Sequence, residues 1–294
     1  MGRTPLKNQL LRARVAPSAS FRFSPPIVAG RLKKSALGLL NLGRAGPSRF
    51  TRAGAVVERM AGLPFGPLDE ITGGGTPLVL APHPDDESLG CGGLIAEACA
   101  RGHPPAVVVL TDGSMSHPSS RSHPPPRLRA LRQAETQAAV SALGVERERL
   151  HFLGLPDGRA PCAGAAMEEA AARVAELARL YQASAILTTW QHDPHADHVA
   201  AYAIGRLAAR LAGTRLVSYP VWGWALPPRQ RLPVDAVAGA RLDIARHLPA
   251  KRRAIAAHAS QHPGVIADDP NGFHLPASLL SAVDRPFEVF LFER

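Results

Sequence analysis

Histidine and aspartate residues occur in two short clusters that together could hold a divalent cation. The clusters are His83-Pro84-Asp85-Asp86-Glu87 and His192-Asp193-Pro194-His195-Ala196-Asp197-His198. His83 and Asp86 are three residues apart, as are His195 and His198, so each pair can direct both side chains to one point. Imidazole nitrogen with carboxylate oxygen suits Zn²⁺ or another divalent metal, and three protein ligands leave a position for water. The clusters therefore predict a catalytic metal site.

Each of these residues has a simpler explanation when it is taken alone. Aspartates are common N-caps, so Asp86, Asp193 or Asp197 could serve only to begin a helix. A single histidine at a strand end is more often hydrogen-bonded than bound to a metal. The occurrence of two His/Asp clusters at neighbouring strand ends favours the metal site over these separate explanations.

Short apolar runs alternate with helical patterns from residue 76 onward. The sequence predicts strands at Pro77–Ala81, Ala106–Leu110, Leu150–Leu153, Ala185–Thr189 and Arg215–Val221, with helices at Glu87–Arg101, Arg127–Leu143, Ala165–Tyr181 and Asp197–Leu211. Apolar runs without polar alternation indicate strands that are covered on both faces. We therefore predict an α/β fold with a Rossmann-like, doubly wound, mostly parallel sheet. Because ligands bind beyond the carboxyl ends of such strands, both clusters should meet at one edge.

After Trp224 the regular alternation of strand and helix patterns ends. The remaining residues predict a C-terminal extension that packs on the edge of the sheet. A Pro-rich loop comes first, followed by a helix at Ala250–Ser260 and a last strand at Phe287–Glu293.

The positive charge of the chain is concentrated at its N-terminus. The formal net charge is +10 over 294 residues, but residues 1–57 carry 11 basic side chains and no acidic one. Residues 58–294 hold 23 basic and 24 acidic groups, so the balance of the body argues against a nucleic-acid-binding protein. We predict two parts, a basic, disordered leader at 1–57 and a single enzyme domain at 58–294.

The leader has three alternative explanations. An acid-poor, Arg- and Ser-rich composition is typical of a mitochondrial transit peptide and also of an arm that binds anionic lipid. An over-long gene start is the third. No apolar run reaches the roughly 18–20 residues that span a bilayer, and three cysteines are too few for a disulfide framework. We therefore expect a cytoplasmic protein with peripheral membrane contact through 1–57 as an option, and no feature fixes an oligomeric state.

Both clusters resemble the signatures of one enzyme family. Ala81–Glu87 is similar to the A-H-P-D-D-E motif of the PIG-L (LmbE-like) deacetylases, and Pro194–His198 is similar to their H-P-D-H motif. Pro82 and Ala196 depart from the common pattern, at positions that concern packing rather than chemistry. The resemblance extends from about residue 76 to the C-terminus, and it implies a zinc-dependent N-deacetylase.

The resemblance implies a role for each motif residue. The implied metal ligands are His83, Asp86 and His198, and the implied general base is Asp85. His195 matches the residue that stabilises the oxyanion and protonates the leaving amine, and Asp197 matches the carboxylate that orients this histidine.

Three weaker matches lie outside the two motifs. Arg132 and Glu135 resemble an R-x-x-E element whose arginine binds substrate, although a solvated helix face explains Arg132 equally well. Asp157 resembles a turn residue that holds sugar hydroxyls. His258 and Gln261 resemble an A-H-x-S-Q element, to which we assign no role.

The expected activity is removal of an N-acetyl group from an N-acetylglucosaminyl-type conjugate, free or lipid-linked, by metal-activated water. The cofactor would be Zn²⁺ or another divalent metal. Hydrolysis of another small amide, such as an antibiotic or a thiol-conjugate intermediate, is an alternative. A non-catalytic sugar- or lipid-binding module is a second one, although a pure binder needs no base and acid pair such as Asp85 and His195.

Overall fold

The computed structural model describes residues 50–234 and 236–293. The sequence folds into nine strands and eight α-helices over this part of the chain. The strands are β1 (Thr51–Arg52), β2 (Pro77–Ala81), β3 (Ala106–Thr111), β4 (Leu150–Leu155), β5 (Ala185–Thr189), β6 (Arg215–Tyr219), β7 (Arg231–Leu232), β8 (Gly239–Asp243) and β9 (Phe287–Phe292). The helices are α1 (Ala53–Ala61), α2 (Leu68–Thr72), α3 (Asp86–Ala100), α4 (Pro125–Ala142), α5 (Ala165–Leu180), α6 (Ala196–Ala212), α7 (Leu248–Ala257) and α8 (Ala277–Val283).

A seven-stranded sheet forms the centre of the fold in the order β4-β3-β2-β5-β6-β9-β8. The first five of these strands run parallel, β9 is antiparallel to β6, and β8 is antiparallel to β9. The chain moves outward in one direction from β2 to β4 and in the other from β5 to β6. The boundary between β2 and β5 is therefore the topological switch point, where such sheets bind ligands.

Successive residues of the central strands face opposite helical layers, as the pleat of a strand requires. Val79 and Val107 pack in the core that holds α3, α4 and α7, whereas Leu78 and Val108 pack in the core that holds α5 and α6. All residues of β2, β3 and β5 are buried. The predicted doubly wound α/β architecture is confirmed, and β8 and β9 form the expected C-terminal extension at the sheet edge.

The predicted boundary between leader and domain falls inside a helix. Residues 51–61 form β1 and α1, and Ala53, Val56 and Met60 are fully buried in a third apolar cluster. The folded part of the chain therefore begins before residue 58, and the prediction for residues 1–49 lies outside the described residues. The sequence suggested otherwise because the apolar residues of this short helix follow a long basic stretch.

The glycines of α3 allow its close packing against neighbouring elements. A Cβ atom at Gly90 would lie 2.3 Å from the Tyr219 ring, and one at Gly93 would lie 2.5 Å from Ile244. These contacts explain a glycine-rich helix start that lacks the spacing of a dinucleotide-binding loop. Among the described helices, none is both long and apolar enough to cross a membrane.

Candidate active site

The two His/Asp clusters meet at the switch point of the sheet. His83 follows β2 directly, and His195 lies between β5 and the start of α6. Because β2 and β5 are adjacent parallel strands, their carboxyl ends bring both clusters to one edge. The rings of His83 and His195 pack edge to face, with centroids 4.6 Å apart, and those of His83 and His198 are 5.4 Å apart.

The Asp86 carboxylate lies between the two histidines that the sequence predicts as metal ligands. Its Oδ2 atom is 3.1 Å from Nδ1 of His83 and 3.2 Å from Nε2 of His198. Two ligand atoms about 2.1 Å from one tetrahedral ion are separated by about 3.4 Å, so these distances suit a shared ion. Burial would raise the pKa of Asp86, but His198 and His83 outweigh burial and hold it well below its usual range, which keeps the carboxylate ionised.

His198 is oriented by a carboxylate on its far side. Oδ2 of Asp193 lies 2.9 Å from Nδ1 of His198 and also accepts hydrogen bonds from the backbone N–H groups of Val221 and Trp222. The proton of the neutral imidazole therefore lies on Nδ1, and its Nε2 lone pair faces Asp86. This Nε2 is buried without a hydrogen-bond partner. A lone pair facing a carboxylate at 3.2 Å is stabilised by a cation between them, either a proton on Nε2 or a metal ion, so the residues fit a divalent metal.

His83 also lies between Asp86 and a second carboxylate, but with the roles of its two ring nitrogens exchanged. Its Nδ1 faces Asp86, while its Nε2 lies 3.1 Å from Oδ2 of Asp197 and 3.4 Å from Oδ1 of Asp157. Although burial opposes it, these three carboxylates raise the pKa of His83 well above its usual value. The excess of buried negative charge around the imidazole is what a site for a cation requires.

Two groups of side chains at this edge have ligand atoms within 4.8 Å of one another, and neither of them includes Asp86. One consists of His83, His195 and His198, and the other of His83, Asp157 and Asp197. In the second group both carboxylates accept backbone hydrogen bonds, Asp157 from Met115 and Asp197 from Gly158 and Ala160, and Asp86 likewise accepts one from the His83 backbone. The set His83, Asp86 and His198 is favoured because each of its histidines is backed by a separate aspartate.

Asp197 is not placed as the resemblance implied. Its carboxylate contacts His83 and the loop after β4, whereas its backbone N–H donates to Nδ1 of His195 at 3.2 Å. Asp197 therefore positions His83 through its side chain and His195 through its main chain. With Nδ1 accepting, the proton of the neutral His195 imidazole lies on Nε2. Burial, together with the adjacent His83 and His198, lowers the pKa of His195 to about 4.

Asp85 is held in a strained conformation between His83 and Asp86. Its φ of 145° and ψ of −28° lie in a region that non-glycine residues avoid, at a typical energy of about 1–3 kcal/mol. Burial raises the pKa of its carboxyl group to about 7, which the Arg132 guanidinium opposes. The residue is 5% exposed. A carboxyl group whose pKa lies near neutrality can both accept and return a proton.

Arg132 lies beneath the site rather than on its surface. It is 3% exposed and donates from Nη2 to the Pro84 carbonyl at 2.6 Å and to Oδ2 of Asp85 at 3.1 Å. Its Nη1 donates to the Gly113 carbonyl. A side chain buried to this extent does not lie on a solvated helix face, and its contacts are to protein groups rather than to the open side of the site. The position suits a side chain that fixes the Asp85 carboxylate.

Asp157 lies at the predicted turn and within reach of the site. Burial would raise the pKa of Asp157, but the hydrogen bond from His83 outweighs burial and lowers it to about 2. Its Oδ2 accepts a hydrogen bond from the Met115 backbone, so one oxygen fixes the loop after β3. The sequence did not identify Asp193 as the partner of His198, although the two are five residues apart. The backbone groups of Val221 and Trp222 that fix the Asp193 carboxylate follow β6 and become its neighbours only in the folded chain.

Comparison with known proteins yields a consistent set of relatives. Residues 78–209 match the family model described as PIG-L, GlcNAc-PI de-N-acetylase. A 1D-myo-inositol 2-acetamido-2-deoxy-α-D-glucopyranoside deacetylase from Actinosynnema mirum is 32% identical over 231 residues, which cover 63% of this chain and 80% of the relative.

Two solved structures share the fold. A conserved protein from Thermus thermophilus superposes with a TM-score of 0.55 at 25% identity, over 74% of this chain and 94% of that one. The N,N'-diacetylchitobiose deacetylase from Pyrococcus horikoshii has a TM-score of 0.50 at 22% identity, over 71% of this chain and 76% of that one. The chain is 32% identical to a curated relative over 80% of that relative's length, it has both motifs at the switch point, and it shares the fold. It therefore belongs to the PIG-L family of de-N-acetylases.

Proposed function

We propose that the protein is a metal-dependent hydrolase that removes the acetyl group from an N-acetylglucosaminyl conjugate. The observation that carries this proposal is the buried Nε2 of His198, which faces the Asp86 carboxylate without a hydrogen-bond partner. Curated relatives named as deacetylases of a glucosaminyl-inositol conjugate support the substrate class.

His83, Asp86 and His198 would hold the metal through Nδ1, a carboxylate oxygen and Nε2, respectively. When bound, a divalent ion lowers the pKa of water and polarises a carbonyl group. Zinc suits this set of two imidazoles and one carboxylate, and it is the metal we propose.

Asp85 is the proposed general base. In its ionised form it accepts a proton from the water that attacks the amide carbonyl carbon, and Arg132 keeps its carboxylate aimed at that position. The protonated Asp85 then passes the same proton to the nitrogen as the C–N bond breaks. The second proton of the water stays on the new carboxyl group, so the products are acetic acid and a free amine; at neutral pH the acid ionises to acetate and the amine takes up that proton.

His195 is the proposed oxyanion donor. The resemblance also gave it the role of protonating the leaving amine, but the lowered pKa of about 4 keeps it neutral at pH 7. A neutral imidazole with its proton on Nε2 donates a hydrogen bond to the developing negative charge of the carbonyl oxygen. Asp157, at the rim of the same edge, is the proposed partner for a sugar hydroxyl.

Acetate release from a panel of substrates tests the proposed function. The panel comprises N-acetylglucosaminyl-inositol, its lipid-linked analogue, N,N'-diacetylchitobiose and unrelated N-acetyl amides, each with metal-replete protein. We expect turnover of the glucosaminyl conjugates and its loss with a chelator. Turnover of only the unrelated amides would favour the alternative of another small amide, and no turnover with any of them would contradict the proposal.

We also propose a cytoplasmic location, with the basic N-terminal residues as a contact to anionic membranes. Cys91, Cys99 and Cys162 are free, which supports a reducing compartment. The charge of residues 1–49 supports the membrane contact, since each basic residue near an anionic surface contributes about 1 kcal/mol. Liposome co-sedimentation of full-length protein and of residues 50–294 tests this, and equal binding of both would reject it.

A further inference from the structure

The strained main chain of Asp85 is held by the neighbouring acid Glu87. The backbone N–H of Asp85 donates to Oε2 of Glu87 at 3.0 Å, and Glu87 is fully buried. The Asp85 carbonyl accepts from the N–H groups of Ser88 and Leu89, the first turn of α3. The hydrogen bond to Glu87 therefore secures the N–H side of a residue whose carbonyl side is fixed by the helix.

Glu87 is in turn held by a histidine from the C-terminal part of the chain. Its Oε1 lies 3.0 Å from Nε2 of His258, which follows the last residue of α7 and is fully buried. The hydroxyl of Ser88 also donates to this oxygen, at 2.8 Å. Since a carboxylate only accepts, His258 must carry its proton on Nε2 and donate it to Glu87.

Two hydrogen bonds link three residues in a chain. The first joins His258 to the Glu87 side chain, and the second joins Glu87 to the backbone N–H of Asp85. Arg132 holds the Asp85 carboxylate from another side, at 3.1 Å. Neither Glu87 nor His258 reaches solvent, so neither can contact a substrate. An apolar pair would fill the same space without the cost of desolvating a carboxylate, so packing alone does not explain why Glu87 and His258 are polar.

We propose that Glu87 and His258 are positioning residues that hold Asp85 in its strained conformation and so set the aim of the general base. The inference rests on the proposed function of Asp85. A small displacement of a reacting group lowers the rate of an oriented reaction by up to about 100-fold, whereas substrate affinity and metal binding depend on other residues.

The test compares metal-replete wild-type protein with His258→Leu, His258→Gln and Glu87→Gln. We expect His258→Leu to lower kcat by about 10- to 100-fold with KM and metal content unchanged. His258→Gln, which restores a side-chain N–H donor, should recover part of kcat, and Glu87→Gln, which keeps one acceptor oxygen, should fall between the two.

Lys251→Met is the matched control. Lys251 lies on α7, is 2% exposed and donates to Glu288 at 2.7 Å, so its loss also removes a buried ionic contact between α7 and the rest of the fold. We expect this variant to lose stability but to keep kcat. An equal loss of kcat in Lys251→Met and His258→Leu would overturn the proposal, as would a His258→Leu enzyme with wild-type kcat.

Amide hydrogen exchange at Asp85 tests the geometry without any substrate. We expect exchange at Asp85 to be at least about tenfold faster in His258→Leu than in wild type, since the acceptor Glu87 is then no longer held. Unchanged exchange would overturn the proposal even if the wild-type protein released no acetate. A wild-type protein without activity would count against the proposed function instead, so the two failures are distinguishable.

Discussion

The Asp197 carboxylate accepts a hydrogen bond from Nε2 of His83 at 3.1 Å, not from His195. This places Asp197 behind a proposed metal ligand, as Asp193 lies behind His198 at 2.9 Å. Each aspartate fixes which imidazole nitrogen carries the proton and leaves the other free toward Asp86. His195, the proposed oxyanion donor, receives only the backbone N–H of Asp197. Loss of the Asp197 carboxylate should therefore affect metal affinity more than the action of His195.

Asp197→Asn is therefore expected to weaken metal binding by about 10- to 100-fold, because the partner that orients His83 is lost. Saturating metal should restore much of kcat, since the backbone contact to His195 remains. Competition with a chromogenic chelator measures the affinity, and Asp193→Asn serves as the parallel variant. A variant with wild-type metal affinity and a lowered kcat would instead support the role that the sequence motif implied, orientation of His195.

Arg132→Met is expected to move the acidic limb of the kcat/KM profile to higher pH. As the proposed general base, Asp85 acts in its ionised form, so activity should fall as the pH drops through its pKa. Burial raises this pKa to about 7 and the Arg132 charge opposes that rise, so removing the charge raises the pKa further. An arginine at hydrogen-bond distance typically lowers the pKa of an aspartate by about 1–3 units, and the shift of the acidic limb should be of this size.

The pH profile of the Arg132 variants separates two roles. Arg132→Lys keeps the charge, and its acidic limb should stay nearer to that of wild type. A raised KM with an unmoved limb in Arg132→Met would restore the prediction from the sequence that this arginine binds substrate.

The stability of the metal-free protein is expected to decrease as the pH rises from about 6.5 to 9. Burial lowers the pKa of His198, but Asp86 and Asp193 outweigh burial and raise it to about 9. A raised pKa stabilises the fold fully below the unfolded value of about 6.5, and this stabilisation is lost as the pH passes the folded value.

The expected change in the free energy of unfolding is roughly 3 kcal/mol. Urea denaturation with a chelator across this pH range measures it, and His198→Gln should reduce the trend to the part that the raised pKa of His83 contributes. With metal present the trend should reverse, because metal ligation requires a deprotonated imidazole. A metal-free stability that does not change over this range would show that His198 is not enclosed by carboxylates as the structure has it.

The sheet and the meeting of the two motifs could be predicted from the sequence because both depend on local patterns. Unbroken apolar runs indicate buried parallel strands, and parallel strands bring His83 and His195 to one edge. The predicted boundary at residue 58 divides α1 because it rests on the distribution of charge alone, whereas Ala53, Val56, Val57 and Met60 have the i, i+3, i+4, i+7 spacing of an amphipathic helix. The partner of Asp197 and the burial of Arg132 depend on contacts between distant segments, which no spacing reveals.

The proposed reaction is tested most directly by acetate release from N-acetylglucosaminyl-inositol with metal-loaded wild-type protein and metal-loaded Asp85→Asn. The account predicts that the variant keeps its metal and loses at least about 100-fold in kcat, since general base catalysis contributes about 10²- to 10⁴-fold. Metal-loaded Asp85→Asn with wild-type turnover would contradict the account.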